Sequence, residues 1–174
     1  MRRAQRDEQF RDFYFREMPR LRRIALLMVG DGDRAEDLAH DALLRAYRRW
    51  GRIRNEDPGP YVRTALINLC RNYHRRRGLE KRHLAEVRTN PELASPDDTR
   101  RVDEALRVAH ALQVLSPVRR AAIVLRFYDD MTEVEVARTL DRPLNTVKSD
   151  VRRALSTLRE ALDDTREEAS DASR

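Results

Sequence analysis

The sequence predicts an all-α protein made of two small helical domains joined by a flexible linker. Only 5 of its 174 residues are glycine and 7 are proline, and runs of β-branched residues are missing. Apolar residues recur every three or four positions through most of the chain, which is the spacing of one buried helix face. The length allows one compact domain or two small ones. A loss of this periodicity over residues 79–100 favours two.

The first domain, residues 7–78, is expected to contain three helices. The apolar spacing predicts the first over residues 7–29. The second spans residues 33–50, with Asp33 as N-cap of an Asp-x-x-Glu capping box and Gly51 as its end.

A loop and a third helix complete this domain. The loop covers residues 51–60, which include a Pro-Gly-Pro sequence. The third helix follows and ends near Gly78, where a run of three arginines meets a glycine. Residues 79–100 contain Asn-Pro and Ser-Pro pairs and are predicted to be the linker.

The second domain, residues 101–163, begins with a helix from about 101 to 115. Ser116 is expected to be the N-cap and Pro117 the first residue of the next helix, since proline fits that position.

Two further helices have the spacing of a helix-turn-helix. Thr132 opens a short helix to about Leu140 with a second capping box. The last helix begins near Leu144 and has an apolar residue every three or four positions. Two helices joined by a three- or four-residue turn, the second long and basic, are typical of DNA-binding domains. Residues 164–174 form an acidic tail.

Composition excludes several classes of protein. Charged residues make up 38% of the chain, and no run approaches the roughly 20 apolar residues of a membrane-spanning helix. Residues 1–7 lack the apolar segment of a signal peptide, so a cytoplasmic location without membrane insertion is expected. Cys70 is the single cysteine, which excludes an internal disulfide framework. The four histidines have no metal-ligand spacing, so no catalytic site, metal or cofactor is expected.

Positive charge is concentrated in the first half of the chain. Residues 1–78 contain 19 arginines and 11 acidic residues, whereas residues 79–174 contain 17 basic and 19 acidic residues. The first half is therefore the stronger candidate for binding a polyanion.

Three helix faces carry candidate binding residues, and each also has a purely structural interpretation. On the last helix, hydroxyls and cations that suit base edges and phosphates point away from the apolar stripe: Thr146, Lys148, Ser149, Arg152 and Arg153. On the third helix a polar stripe could follow DNA phosphates, with a nearby indole to stack on an unpaired base: Asn68, Arg71, Arg75 and Trp50. The first two faces also fit solvated surfaces, and Trp50 taken alone fits a core anchor better than a DNA contact.

The third face lies on the second helix and suits a protein partner. Leu44 is on the side opposite the core and is flanked by the carboxylates of Asp37 and Asp41. This pattern fits a basic, partly apolar surface, although a single exposed leucine needs no explanation.

Taken together, these motifs resemble a known family, over about residues 7–162. The first domain resembles region 2 of an extracytoplasmic-function sigma factor in the stretches Ala35-Glu36-Asp37-Leu38-Ala39-His40-Asp41, Arg48-Arg49-Trp50, Tyr61-Val62-Arg63, Asn68 and Arg75-Arg76-Arg77. The second resembles region 4 in Leu115-Ser116-Pro117-x-x-Arg120, Thr132-Glu133-x-Glu135-x-Ala137 and Thr146-Val147-Lys148-Ser149-x-x-x-Arg153-Ala154. The Arg-Trp and Tyr-Val-Arg pattern most resembles the actinobacterial SigE-like branch.

The resemblance implies a dissociable specificity subunit of bacterial RNA polymerase. Region 2 would bind the β′ clamp helices through the helix of Asp37, Leu38, Asp41 and Leu44, and would open the −10 element with Asn68 near a flipped base. The loop 51–60 would set −10 specificity, and the linker would run through polymerase channels. Region 4 would bind the −35 major groove and the β flap. An anti-sigma factor is a further partner that the resemblance suggests.

Some residues depart from the family pattern, and other functions stay open. Asp141 and Asn145 stand where glycine is frequent, and Asp150 adds a negative charge to the reading helix. One alternative is a stand-alone helix-turn-helix regulator, which would need a dimer surface or a sensor domain. Another is an acidic-faced adaptor protein whose basic helices are merely solvated.

Overall fold

The computed structural model describes residues 2–83 and 108–171, and describes side chains over 4–78 and 108–161. These two ranges are called the first and second units below. Both consist of helices joined by short turns, and neither described range contains a strand. The predicted all-α, two-domain organisation is confirmed.

Three helices form the first unit: α1 (Arg2–Val29), α2 (Gly32–Ile53) and α3 (Pro58–His83). Its core is built from large aliphatic side chains with 0 or 1% exposure, namely Leu21, Ile24, Met28, Leu43, Leu66 and Ile67. Burying each such side chain contributes about 1.5–3 kcal/mol. This core fixes which face of each helix remains available to a partner.

The ends of α2 differ from the sequence prediction. Gly30 has a positive φ of 73°, and Asp31 follows in an extended conformation. The Asp31 carboxylate, not that of Asp33, accepts the Arg34 N–H at 2.9 Å and caps the helix. Gly51 does not end α2, which continues to Ile53. A glycine inside a helix costs only about 1 kcal/mol, and packing can offset that cost.

The third helix is longer at both ends than predicted. It begins at Pro58, inside the expected loop, where the Asp57 carboxylate accepts the Gly59 N–H at 3.0 Å. Proline suits the first turn because it has no N–H to satisfy. The helix passes the predicted end at Gly78 and continues to His83. It therefore includes residues 79–83 of the predicted linker, and residues 84–100 lie outside the described ranges.

The second unit begins with helical residues 108–111 and a 3₁₀ turn, Leu112–Val114. Residues 101–107 of the predicted helix lie outside the described ranges. Helix α4 (Pro117–Ile123) runs into a π-helical turn, Val124–Tyr128. Ser116 is its N-cap, without a side-chain hydrogen bond, and the predicted proline at the first position is confirmed.

A helix-turn-helix completes the second unit. Helix α5 (Glu133–Leu140) opens with the predicted capping box: Thr132 accepts the Glu135 N–H, and the Glu135 carboxylate accepts the Thr132 N–H at 2.7 Å. Helix α6 (Leu144–Asp171) follows and includes most of the predicted acidic tail.

The turn between α5 and α6 has Asp141 at the position where the family resemblance implies glycine. Asp141 adopts the left-handed conformation, with φ 52° and ψ 56°. The Arg142 N–H then reaches back to the Ala137 carbonyl at 2.9 Å. Aspartate tolerates this conformation better than most residues, so the departure from glycine preserves the turn.

The two units are packed against one another. Helix α4 and the π-helical turn lie against α1, and α3 contacts α4 and α5. Buried side chains of both units join in one continuous cluster.

Candidate nucleic-acid and protein interfaces

The outward face of α6 is fixed by the residues that it buries. Val147, Val151 and Ala154 are at most 7% exposed and pack inward. The predicted −35 contacts therefore lie on the outer side: Lys148, Arg152 and Arg153 are exposed, while Thr146 and Ser149 are half-buried. The Ser149 hydroxyl donates to the Asn145 carbonyl at 3.0 Å. Three cations and two hydroxyls thus share one helix face.

Asp150 does not cancel the positive charge of this face. Its carboxylate lies 3.0 Å from the Arg142 guanidinium and 3.5 Å from that of Arg119, and its side chain is only 13% exposed. The two ion pairs tie α6 to α4 and to the preceding turn. The acidic residue thus helps to position the helix.

A second polar stripe lies on α3. Leu66, Ile67 and Cys70 face the core with 0% exposure. On another side of the helix, Asn68 and Arg75 are exposed and Arg71 is half-buried. The amide and the two guanidinium groups are separated by three or four residues along the helix, so they form a continuous strip.

Trp50, predicted to contact DNA, is a core residue. Its side chain is 4% exposed and packs between Phe10 and Phe13, with ring centroids 5.1 and 5.0 Å away. Its indole N–H has no hydrogen-bond partner among the described residues. In this packing Trp50 supports α2 against α1 and presents no ring to a DNA base.

Three of the four residues predicted to bind a protein partner lie on the exposed face of α2. Asp37, Asp41 and Leu44 are exposed, Leu44 by 47%. Leu38 is 7% exposed and belongs to the core, because it shares the apolar side of the helix with Ala35 and Ala42. A partner of α2 would therefore meet two carboxylates and one leucine.

The buried thiol of Cys70 has a structural role. Burial raises the pKa of the Cys70 thiol to about 12, so the thiol is protonated at neutral pH and unreactive. In the described ranges, no group of three His, Cys, Asp or Glu side chains is placed to hold a metal ion. None of the helices described is long and apolar enough to cross a membrane.

Sequence reasoning missed a group of polar residues between the units. Arg120 is 3% exposed and Asp129 is 4% exposed, and both contact the first unit. Helical periodicity carries no signal for such contacts, because they join positions 92 and 109 residues apart.

Two family models match the chain. The model described as Sigma-70 region 2 matches residues 13–80, and the one described as Sigma-70, region 4 matches residues 105–158. The first match corresponds to the first unit and the second to the helix-turn-helix unit.

Curated relatives match over most of the chain. An RNA polymerase sigma-E factor of Streptomyces coelicolor is 35% identical over 154 residues, which cover 85% of each chain. The ECF RNA polymerase sigma factor SigL of Mycobacterium tuberculosis is 31% identical over 142 residues and 79% of each chain.

Solved structures share the arrangement of helices. The sigma factor RpoE of Bartonella quintana, crystallised with the anti-sigma factor NepR, is similar with a TM-score of 0.67 and 26% identity, over 88% of this chain and 96% of that chain. CnrH, solved with the cytosolic domain of CnrY, has a TM-score of 0.63 at 21% identity, over 89% and 88% of the two chains.

Proposed function

Because this chain belongs to the extracytoplasmic-function RNA polymerase sigma factors, which direct transcription initiation, we propose a specific division of labour among its helices. Helix α2 binds core RNA polymerase, α3 binds the −10 element and α6 binds the −35 element. The observation that carries the proposal is the helix-turn-helix, in which α6 presents three exposed cations and two half-buried hydroxyls on its outward side.

The face of α6 is suited to duplex DNA. Arginine and lysine pair with phosphates and with guanine edges in the major groove, and serine and threonine hydroxyls can contact either phosphates or base edges. We assign base and phosphate contacts to Thr146, Lys148, Ser149, Arg152 and Arg153. The left-handed conformation of Asp141 forms the turn between α5 and α6, and proteins with a helix-turn-helix place the second helix in the major groove.

The strip on α3 is suited to separated DNA strands. Extruding a base costs a few kcal/mol, and a single basic helix supplies little specific binding to offset that cost. Asn68 can hydrogen-bond to an unpaired base, while Arg71 and Arg75 hold the adjacent backbone. Placing both readers on one polymerase turns two weak contacts into a bivalent one.

The face of α2 completes the assignment. Asp37, Asp41 and Leu44 would meet basic and apolar residues of the polymerase clamp. The protein has no catalytic role of its own in this proposal, needs no cofactor, and acts in the cytoplasm, where RNA polymerase is. Because the RpoE relative was crystallised with an anti-sigma factor, a protein of that class is a candidate partner here.

The −35 assignment is tested with Arg153→Ala. If Arg153 makes a bidentate base contact, promoter discrimination falls by about 1–3 kcal/mol. The matched control is Arg159→Ala, an exposed arginine of α6 that lies six residues beyond Arg153 and is not among the assigned contacts. Run-off transcription from native and −35-mutated promoters measures both. Equal discrimination by wild type and Arg153→Ala would refute the contact.

The polymerase assignment is tested with Asp41→Arg. Charge reversal on this face should abolish binding to core polymerase while the helical circular dichroism stays unchanged. Asp12→Arg, on an exposed part of α1, should bind core normally. Retained binding by Asp41→Arg would end the claim.

A further inference from the structure

A buried carboxylate of the second unit is neutralised from the first. The side chain of Asp129 has 0% exposure. Its Oδ1 accepts the Arg20 Nε–H at 2.5 Å, and Oδ2 lies 3.3 Å from Arg63 Nε without hydrogen-bond geometry. Among the described residues, both cationic partners come from α1 and α3. Asp129 therefore depends on the packing of the two units for its charge compensation.

A buried guanidinium makes the reciprocal contact. Arg120 donates to the Met28 carbonyl of α1 at 2.5 Å and lies 3.1 Å from His74 Nε2 of α3. It also donates to three carbonyls of its own unit, at 2.9–3.1 Å. On separation of the units Arg120 keeps these three acceptors, and Asp129 gains water. Opening thus leaves neither charge buried without a partner.

We propose that two contacts between the units form a latch that keeps the free sigma factor closed and that must open before both promoter elements are bound. In one contact Asp129 lies between Arg20 and Arg63, and in the other Arg120 donates to the Met28 carbonyl. Burial of the Asp129 carboxylate opposes closure, and it raises the pKa of this group despite the two arginines. The closed state is therefore a balance between burial cost and charge pairing, which a partner can shift.

The need for opening, which rests on the proposed function, follows from dimensions. The −10 and −35 elements are centred about 25 base pairs apart, roughly 85 Å along B-form DNA. A compact chain of this length has a diameter of roughly 40 Å. The 24 residues 84–107 would span at most roughly 80 Å when extended. The separated units can reach both elements, and the packed units cannot.

The state of the latch is measured by pulsed electron paramagnetic resonance on the full chain without polymerase. Spin labels are placed at Arg52→Cys in α2 and Arg159→Cys in α6, both exposed, while Cys70 is buried. The latch predicts one narrow distance distribution. Arg20→Glu puts a carboxylate against Asp129 and should lengthen and broaden the distribution. The control Arg23→Glu, on an exposed residue of the same helix, should leave it narrow.

A second substitution shows whether a broad distribution in Arg20→Glu comes from opening of the latch or from loss of folding. Adding Asp129→Asn to Arg20→Glu removes the repulsion between two carboxylates, and should restore part of the narrow population. A broad distribution in the wild type, or an unchanged one in Arg20→Glu, would overturn the latch.

Function is read separately from closure. If the closed state holds about 90% of the sigma factor before both promoter elements are bound, holoenzyme carrying Arg20→Glu should have an apparent Kd for promoter DNA about tenfold lower than wild-type holoenzyme. An open Arg20→Glu chain with the wild-type Kd would overturn the regulatory role of the latch. A wild type that is closed but directs no transcription would instead refute the proposed function, and leave the closure established.

Discussion

Replacing Arg120 with methionine should destabilise the protein by breaking a set of buried hydrogen bonds. The guanidinium donates to the carbonyls of Leu112, Gln113 and Leu115 and to that of Met28. Methionine preserves much of the side-chain length but donates nothing. The carbonyls of Leu112, Gln113 and Leu115, in and just after the 3₁₀ turn, then lose this donor, and the Leu112 carbonyl keeps only the Leu115 N–H.

The magnitude follows from the three contacts within the second unit. Each contributes about 1 kcal/mol net, which gives a total of about 3 kcal/mol. Burial also lowers the pKa of Arg120 to about 10, which shows that burying its charge opposes folding. Methionine has no charge to bury, so the substitution removes this unfavourable contribution and the net loss is smaller. We therefore expect a loss of about 2–3 kcal/mol, or a fall in Tm of roughly 5–10 °C for a chain of this size.

Thermal unfolding followed by circular dichroism at 222 nm measures the effect, with urea unfolding as a second method. Arg138→Met is the matched control, because Arg138 is exposed on α5. Its stability should change by less than about 0.5 kcal/mol. If Arg120→Met and Arg138→Met have the same Tm, the buried guanidinium does not stabilise the 3₁₀ turn.

Two further predictions concern a helix cap and a histidine. Thr132→Ala removes the capping box with Glu135 and should cost about 1 kcal/mol in urea unfolding, whereas Thr157→Ala, in mid-helix, should cost less; equal losses would contradict the cap. Burial first, and the charge of Arg120, lower the pKa of His74 below 6.5. The folded state favours neutral His74, so its contribution to stability is complete above pH 6.5 and is lost as pH falls through the lowered pKa. His74→Gln should flatten the change in Tm between pH 7.5 and 5.5, and an unchanged profile would show that another group titrates.

Local sequence signals predicted the helices well where the chemistry was local. The capping box at Thr132 requires only residues three positions apart, and the structure confirms it. The apolar stripe of α6 likewise assigned Val147 and Val151 to the core, but it also assigned Leu155, which is 41% exposed, whereas Ala154 is buried. Asp31 and Asp33, two positions apart, could each cap α2, and the backbone conformation after Gly30 decided between them. Sequence alone does not give that conformation.

Tertiary packing accounts for the remaining differences. Trp50 and Leu38 carry residue types that suit binding, but both are buried, and the core decides their role. The contact between Arg20 and Asp129 joins residues 109 positions apart. Such a contact depends on how the two units dock, which helical periodicity does not report.

The most direct test of the central claim is run-off transcription from pooled genomic fragments of the source organism, using sigma-free core polymerase with and without this protein. The account predicts discrete new transcripts whose upstream sequences share −10 and −35 elements. Absence of transcripts, while a known sigma factor works with the same core, would contradict it. Salt-sensitive duplex binding without polymerase in that case would identify a stand-alone regulator.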